Sequence, residues 1–200
     1  MYRVIAMERQ FASGGNEIGR RLAKQLGYQI YDRTILIEAA KKLEIPLRYI
    51  ENLEETSPGS IIFNLSQTSL GGSKKLDKDM PLADRLFYEE KRIIEEAVEK
   101  GNCIIIGRCA GAILQDRSDC LSVFIHADKS FRLKRAVEAE HIAQADAENM
   151  LKKVDKRRSS FYTRHTGLPW GQQDTFEICL DSGRLGLDTC VELLAHTAHL

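Results

Sequence analysis

The turn near the start of the chain constrains the fold more than any other stretch. Residues 2–7 are apolar enough for a short buried strand, and Gly14 and Gly15 close the turn that follows. Residues 16–27 then place an apolar side chain at every fourth position, which predicts an amphipathic helix. In phosphate-binding α/β proteins, such a turn and helix point backbone N–H groups and the positive end of the helix dipole at an anion. The alternative is a tight turn that needs glycine only for its backbone angles.

The turn departs from the P-loop pattern at its charged position. A P-loop reads G-x-x-x-x-G-K-[ST], in which the lysine contacts the phosphates and the hydroxyl contacts Mg²⁺. With Gly14 as the second motif glycine, Gly15 stands in the lysine position, and Asn16 and Glu17 follow instead of serine or threonine. The backbone N–H groups of residues 13–17 can still bind phosphate, but the mobile positive charge is missing.

A nearby arginine can supply the missing charge. Arg9 lies inside the loop, whereas Arg20 lies a turn into the helix, so Arg9 is the better candidate. Charges aimed at a transferring phosphoryl group commonly contribute several kcal/mol of transition-state stabilisation. Without such compensation, phosphoryl transfer would be slower by about a thousandfold.

Composition narrows the classes of function. The chain has 200 residues, 43% of them hydrophobic, which indicates one globular domain with a substantial core. Lys plus Arg and Asp plus Glu both total 29, so the net charge is zero and bulk attraction to nucleic acid or to a membrane surface is not expected. There is no N-terminal signal and no apolar run near 18 residues, so we expect neither secretion nor a membrane span.

Cysteine and histidine usage points to a reducing compartment and no protein-held metal. The five cysteines are odd in number, are scattered, and form no C-x-x-C pair. We therefore expect reduced cysteines and a cytoplasmic location. The histidines form no H-E-x-x-H pattern, so a zinc site is not expected.

The remaining apolar runs predict an α/β fold. The run at 102–106 is uninterrupted, as in a central strand buried on both faces. Helical patterns separate the runs, which predicts a five-stranded parallel sheet covered by helices on both faces, a three-layer arrangement. The predicted strands after the first are 28–32, 102–106, 121–125 and 176–181.

Charged residues follow two of these strands directly. Asp32 ends the second strand; it is either a helix cap worth about 1 kcal/mol or a site residue, because ligands bind outside the carboxyl ends of parallel strands. Arg108 follows the buried run at 102–106, and its fork suits phosphate oxygens. Its replacement by alanine should then weaken phosphate binding and leave the fold intact. The alternative is an arginine that pairs with a nearby helix end.

Two further regions differ from the sheet and its helices. Residues 44–80 are broken by proline and glycine, which predicts a mobile loop or an insertion that covers the substrate. Residues 141–165 are densely charged with few apolar anchors, so we expect a lid. The lid's cations Lys152, Lys156 and Arg157 can share a helix face, with Asp155 holding one of them.

These segments, in this order, resemble the cytidylate kinase-like family, a branch of the P-loop nucleoside monophosphate kinases. The resemblance extends over nearly the whole chain. The matching segments are 9–19, 31–32, 106–110, 155–158, 161–162, 166–167, 170–171 and 181–186.

The resemblance implies a P-loop NTPase-type fold and a kinase reaction. It implies one domain over residues 1–200, with a monophosphate-binding insertion at about 44–80 and a lid at about 141–165. It implies ATP and Mg²⁺ for the phosphoryl donor and CMP or dCMP as acceptor, with Asp32 and Arg108 binding the acceptor. The phosphate- and ATP-binding residues would be Arg9, Ala12, Ser13, Gly14, Gly15, Asn16 and Glu17. The catalytic residues around the transferring phosphoryl group would be Arg132, Arg135, Arg157 and Arg158.

The chain departs from cytidylate kinases at specific positions. Gly15 replaces the lysine, Cys109 stands where an aspartate reads cytosine, and Ile37 and Glu38 stand where an arginine is expected. The main alternative is therefore a nucleotide- or phosphate-binding protein with little turnover. A third possibility is a protein that binds some other anion.

Overall fold

In the computed structural model, which describes residues 1–46 and 80–200, five parallel strands form one sheet in the order β2-β3-β1-β4-β5. The predicted α/β fold with a parallel five-stranded sheet is therefore confirmed. The strands are β1 (Val4–Arg9), β2 (Gln29–Tyr31), β3 (Cys103–Ile106), β4 (Cys120–His126) and β5 (Ile178–Asp181).

Helices cover both faces of this sheet and complete three layers. They are α1 (Gly15–Leu26), α2 (Thr34–Lys42), α3 (Leu82–Lys100), α4 (Ala110–Ile113), α5 (Lys129–Glu138), α6 (Ala147–Thr166), α7 (Ser182–Leu185) and α8 (Leu187–Ala198). None of the helices in the described ranges combines the length and the apolar character of a membrane-spanning segment.

The pleat of β1 explains why the strands are apolar on both sides. Val4 and Ala6 belong to a core beneath α2, α3 and α4, whereas Ile5 and Met7 belong to a second core beneath α1 and α8. Successive side chains of a strand point to opposite faces, so a strand covered on both faces must be apolar throughout. The run at 102–106 obeys this rule, but its strand β3 is one place from the centre of the sheet, which β1 occupies.

The last predicted strand is shorter than expected. β5 begins at Ile178 and not at residue 176, because a short 3₁₀ turn, Gln173–Thr175, precedes it. Phe176 packs instead into an aromatic cluster with Phe124 and Tyr162. The predicted insertion at 44–80 lies almost entirely outside the described residues.

Because all five strands are parallel, their carboxyl ends meet at one edge of the sheet. The loops that follow β1, β2, β3 and β4 open there, and α5 and α6 pack above the first of them through a small apolar cluster. Residues 10–14, which connect β1 to α1, are called the phosphate loop below.

Candidate functional site

The phosphate loop is held in shape by hydrogen bonds of its own. Ala12 and Gly14 have left-handed backbones, with φ of 57° and 83°, which let the loop turn sharply into α1. Both the N–H (3.3 Å) and the hydroxyl (2.9 Å) of Ser13 donate to the Gln10 carbonyl, and the Ser182 hydroxyl donates to the Ser13 carbonyl at 2.6 Å. The side chain of Ser13 therefore supports the loop from beneath. The Gly15 N–H donates to Ser13 Oγ at 3.4 Å, whereas the N–H groups of Asn16 and Glu17, in the first turn of α1, have no acceptor within the helix and can donate to an anion.

A cavity of about 290 Å³, here the loop cavity, lies against the phosphate loop and the N-terminus of α1. Cations from α5 and α6 close its other side. The predicted phosphate-binding and catalytic residues that line it are Arg9, Ala12, Gly14, Gly15, Asn16, Glu17, Arg135 and Arg158.

A second cavity, of about 540 Å³, opens at the carboxyl ends of β1, β2 and β3 and is here called the strand-end cavity. Its lining is rich in arginine and includes two carboxylates and two aromatic rings. The lining residues are Glu8, Arg9, Asn16, Arg20, Asp32, Arg33, Ile106, Arg108, Arg157, Arg158, Phe161 and Tyr162. The wall that it shares with the loop cavity consists of Arg9, Asn16, Arg20 and Arg158.

Arg9 lies at the centre of the shared wall. Its Nε donates to Asn16 Oδ1 at 2.9 Å, and Arg158 Nη1 donates to the Arg9 carbonyl at 2.8 Å. Burial, and next the charge of Arg158, lower the pKa of Arg9 from its ordinary value to about 9. Burial also lowers the pKa of Arg158. An anion at this wall would offset the cost of burying two guanidinium groups side by side.

Arg108 lines the strand-end cavity and is also part of a buried ion pair. Its Nη1 lies 3.1 Å from Glu90 Oε1 in α3, and its guanidinium lies 5.6 Å from the centre of the Phe161 ring. The sequence offered anion binding and pairing with a helix end as alternatives. The structure instead pairs Arg108 with the body of a helix and keeps it at the cavity wall.

The turn that carries Arg108 is strained. Gly107, Arg108 and Cys109 all have left-handed backbones, with φ of 80°, 59° and 57°. Glu8 holds this turn, because its Oε1 accepts the Cys109 N–H (3.2 Å) while its Oε2 accepts the Trp170 Nε1–H (3.3 Å). The Cys109 side chain is fully buried among aromatic rings. The position that the resemblance assigns to a cytosine-reading aspartate therefore belongs to the core.

Asp32 combines the two roles that the sequence left open. Its Oδ1 accepts the Thr34 N–H at 3.3 Å, at the start of α2, and its Oδ2 lies 3.8 Å from Arg20. It also lines the strand-end cavity. Its carboxylate is thus both a helix-start contact and a cavity residue.

The two arginines of α5 already contact carboxylates. Arg132 pairs with Asp155 of α6 and also reaches the Phe11 carbonyl at 3.4 Å, whereas Arg135 pairs with Glu17 at 2.8 Å. Arg135 lines the loop cavity, but Arg132 lines neither of the two cavities described above. The Nε of each arginine is buried with no hydrogen-bond partner among the described atoms.

The 141–165 segment is anchored to the phosphate loop. Asp155 Oδ1 accepts the Phe11 N–H at 2.7 Å, and Leu151 is buried against the loop and α5. The prediction that Asp155 holds a cation of its own helix is wrong, because its inward face meets Arg132 of α5. Lys152 points outward and pairs with Glu148 at 2.9 Å. The expectation of few apolar anchors is likewise wrong for the first half of α6.

Several residues of the strand-end cavity were missed from the sequence. Glu8 follows the apolar run at residues 4–7 directly, near the carboxyl end of β1, and this change of polarity is a signal that the sequence does contain. Arg33 follows Asp32 directly and lines the same cavity. Phe161 and Tyr162 line the cavity from α6. Nothing in the local sequence distinguishes these two rings from aromatic residues that only pack in the core.

The residues at the loop fit an Mg²⁺ ion that a nucleotide brings with it. The described part of the chain contains no cluster of three or more His, Cys, Asp or Glu residues that could hold a metal. Mg²⁺ usually keeps several waters and binds through substrate phosphates with one or two protein oxygens. Asn16 stands in the motif's hydroxyl position, but its Oδ1 accepts the Arg9 Nε–H at 2.9 Å, so Mg²⁺ would be held mainly through the nucleotide's phosphates and water.

Comparisons with known proteins agree on family and fold. The sequence model of the cytidylate kinase-like family matches residues 4–184. A search of curated proteins found no match. An uncharacterized protein from Eubacterium ventriosum has a similar structure, with a TM-score of 0.73, 25% identity and 98% of each chain covered.

Two kinases of known structure are also similar in fold. The shikimate kinase of Bacteroides thetaiotaomicron has a TM-score of 0.56 and 11% identity, with 98% of each chain covered. A gluconokinase from Sinorhizobium meliloti has a TM-score of 0.53 and 13% identity, covering 98% of this chain and 93% of its own. At these identities the likeness concerns the fold alone.

Proposed function

The chain belongs to the cytidylate kinase-like family, and on that premise we propose that it is a phosphotransferase that moves the γ-phosphate of ATP to a small anionic acceptor. ATP, with Mg²⁺, would bind in the loop cavity. The acceptor would bind in the strand-end cavity, and the family resemblance names the nucleoside monophosphates CMP and dCMP.

The shared wall is the observation that carries this proposal. Two cavities meet along Arg9, Asn16, Arg20 and Arg158, with the phosphate loop on one side and the ends of β2 and β3 on the other. A phosphoryl group that moves from one cavity to the other passes these side chains. Phosphoryl transfer needs positioning and charge neutralisation more than covalent chemistry from the protein.

Each part of the wall has a role in such a transfer. The N–H groups at the start of α1 would bind the donor phosphates, and Arg108 would hold the acceptor's anionic group. An acceptor phosphate oxygen forms a bond to the γ-phosphorus while the bond from that phosphorus to the β,γ-bridging oxygen breaks, and ADP leaves. Arg9, Arg135, Arg157 and Arg158 would neutralise charge that develops on the moving group. Mg²⁺, when bound with ATP, would neutralise charge on the β- and γ-phosphates.

A binding protein without turnover is the second candidate. The absence of a lysine at Gly15 favours it, because backbone N–H groups alone can bind a nucleotide without stabilising a transition state. The two candidates differ in their products, since only a phosphotransferase converts labelled ATP and a monophosphate into a labelled diphosphate.

We expect both ATP–Mg²⁺ and CMP to stabilise the protein against thermal unfolding. A ligand at about 100 times its dissociation constant adds about 2.7 kcal/mol. Cytidine, which lacks the phosphate, is the matched control and should not stabilise the protein at the same concentration. Transfer of ³²P from γ-labelled ATP to CMP, dCMP, UMP and AMP then separates catalysis from binding. If no phosphorylated ligand raises the melting temperature, the two cavities do not form a nucleotide site.

The 141–165 segment should exchange its amide hydrogens more slowly when ATP–Mg²⁺ and CMP are bound. Asp155 and Arg158 already tie α6 to the phosphate loop and β1, and anions in both cavities would add contacts to its cations. Hydrogen-exchange mass spectrometry measures this directly. Peptides from the end of α8 serve as the unaffected reference, because the Ala198 carbonyl accepts the Tyr2 N–H at the edge of the sheet opposite the cavities. Equal exchange in the segment with and without ligands would contradict a lid.

A further inference from the structure

The phosphate loop differs from a P-loop at two positions, and the differences are reciprocal. In the register in which Gly14 is the second motif glycine, the first glycine position holds Arg9 and the lysine position holds Gly15. The P-loop motif has glycine at its first position and lysine at its seventh. In this chain the first position holds the cation, Arg9, and the seventh holds Gly15.

The packing shows why these two positions depend on each other. A Cβ atom added to Gly15 would lie 2.6 Å from Arg9 Cβ and 2.9 Å from Arg9 Cγ. These carbons sit next to the backbone of β1 and cannot move aside as the end of a long side chain can. The space in front of the start of α1 therefore accommodates a side chain from position 9 or from position 15, but not from both.

A second glycine makes room for the head of Arg9. Arg9 Nη1 lies 2.6 Å from where a Cβ of Gly107 would be, at the turn after β3. The side chain thus runs from β1, across Gly15, to Gly107. Between these two points the Arg9 Nε–H donates a hydrogen bond to Asn16 Oδ1, which fixes the guanidinium at the wall between the two cavities.

We infer that Arg9 is the cation of this phosphate loop and contacts the phosphoryl group in transfer, as the lysine of a P-loop does. This inference rests on the proposed function and names the residue that supplies the charge. A guanidinium presents a planar fork to phosphate oxygens, and here it is positioned before any ligand binds. Arg9 is then a catalytic residue whose side chain enters from the strand instead of from the helix.

The test is to exchange the two positions. Arg9→Gly should lower the rate of ³²P transfer from ATP–Mg²⁺ by about 100-fold or more, as the loss of a charge-stabilising group does. Gly15→Lys alone should also lose activity, because its Cβ meets Arg9. The double variant R9G/G15K restores the motif G-x-x-x-x-G-K, and we expect it to recover at least about tenfold over either single variant. Thermal melting confirms that each protein is folded.

Lys24→Ala is the control for loss of a cation from α1 outside both cavities. The Lys24 side chain is exposed and lines neither cavity, so we expect transfer at about the wild-type rate. The inference is overturned if folded Arg9→Gly transfers phosphate at nearly the wild-type rate. It is also overturned if the double variant is no better than the worse single variant.

The same proteins separate this inference from the proposed function. If the wild type binds ATP–Mg²⁺ but phosphorylates no acceptor, the proposed reaction fails. The dissociation constant for ATP–Mg²⁺, measured by calorimetry, then decides whether Arg9 is a phosphate ligand. Both single variants should bind more weakly, and R9G/G15K should bind more tightly than either of them. Unchanged affinity in Arg9→Gly would remove Arg9 from the phosphate site.

Discussion

Replacing Arg108 with alanine should cost about 3 kcal/mol of folding free energy and also weaken binding of CMP. Arg108 Nη1 lies 3.1 Å from the carboxylate of Glu90, whose side chain is only 1% exposed. Removing one partner of a buried ion pair typically costs about 3–5 kcal/mol, because the buried charge that remains loses a compensating contact. The sequence alone predicted that the fold would tolerate this change. Urea unfolding measures the loss of stability, and calorimetry measures the loss of affinity, which we expect to be at least about tenfold.

A second substitution separates the two effects of Arg108. In R108A/E90Q a neutral amide replaces the buried carboxylate. Much of the stability should therefore return, while the affinity for CMP should stay low. Lys134→Ala is the control for an exposed pair, because the Lys134 and Glu138 side chains are 72% and 62% exposed; its cost should be below about 1 kcal/mol. A variant R108A with wild-type stability would show that Glu90 does not depend on this arginine. Wild-type affinity for CMP would remove Arg108 from the proposed acceptor site.

The fold could be predicted from the sequence because its signals are local. Uninterrupted apolar runs predict strands covered on both faces, and a glycine-bearing turn between the first strand and the first helix shows which edge of the sheet carries the phosphate loop. The parallel order of the strands then brings Asp32 and Arg108 to the same edge. These inferences need only the periodicity of each element and the rule that parallel strands end together.

The partners of the charged residues could not be predicted in this way. Asp155 of α6 forms an ion pair with Arg132 of α5, and Glu8 of β1 accepts a hydrogen bond from the Trp170 Nε1–H. Such pairs join elements whose relative rotation is set by the core, so spacing along one helix does not reveal them. The packing of Arg9 against Gly15 could not be predicted either. The sequence shows an arginine and a glycine, but not that the Arg9 side chain fills the space that a side chain at position 15 would need.

Lowering the pH from 7 to 5 should destabilise the protein by about 2 kcal/mol through His165 alone. His165 is 3% exposed, and its ring is stacked on Phe87 with the ring centres 3.7 Å apart. Burial, and next the charges of Arg164 and Arg108, lower its pKa from 6.5 to about 3. Between those two values the unfolded chain binds a proton and the folded protein does not. Stability is therefore full above pH 6.5 and falls by up to about 1.4 kcal/mol for each pH unit below it.

His165→Phe keeps an aromatic ring in the stack and removes the titration. Its free energy of unfolding, measured in urea at pH 7, 6 and 5, should therefore depend less steeply on pH than that of the wild type. His196→Gln, at an exposed position of α8, is the control and should leave the slope unchanged. Because Phe161 contacts both His165 and the guanidinium of Arg108, acid unfolding of this stack would also remove one wall of the strand-end cavity. Parallel pH profiles for the wild type and His165→Phe would show that another group carries the acid sensitivity.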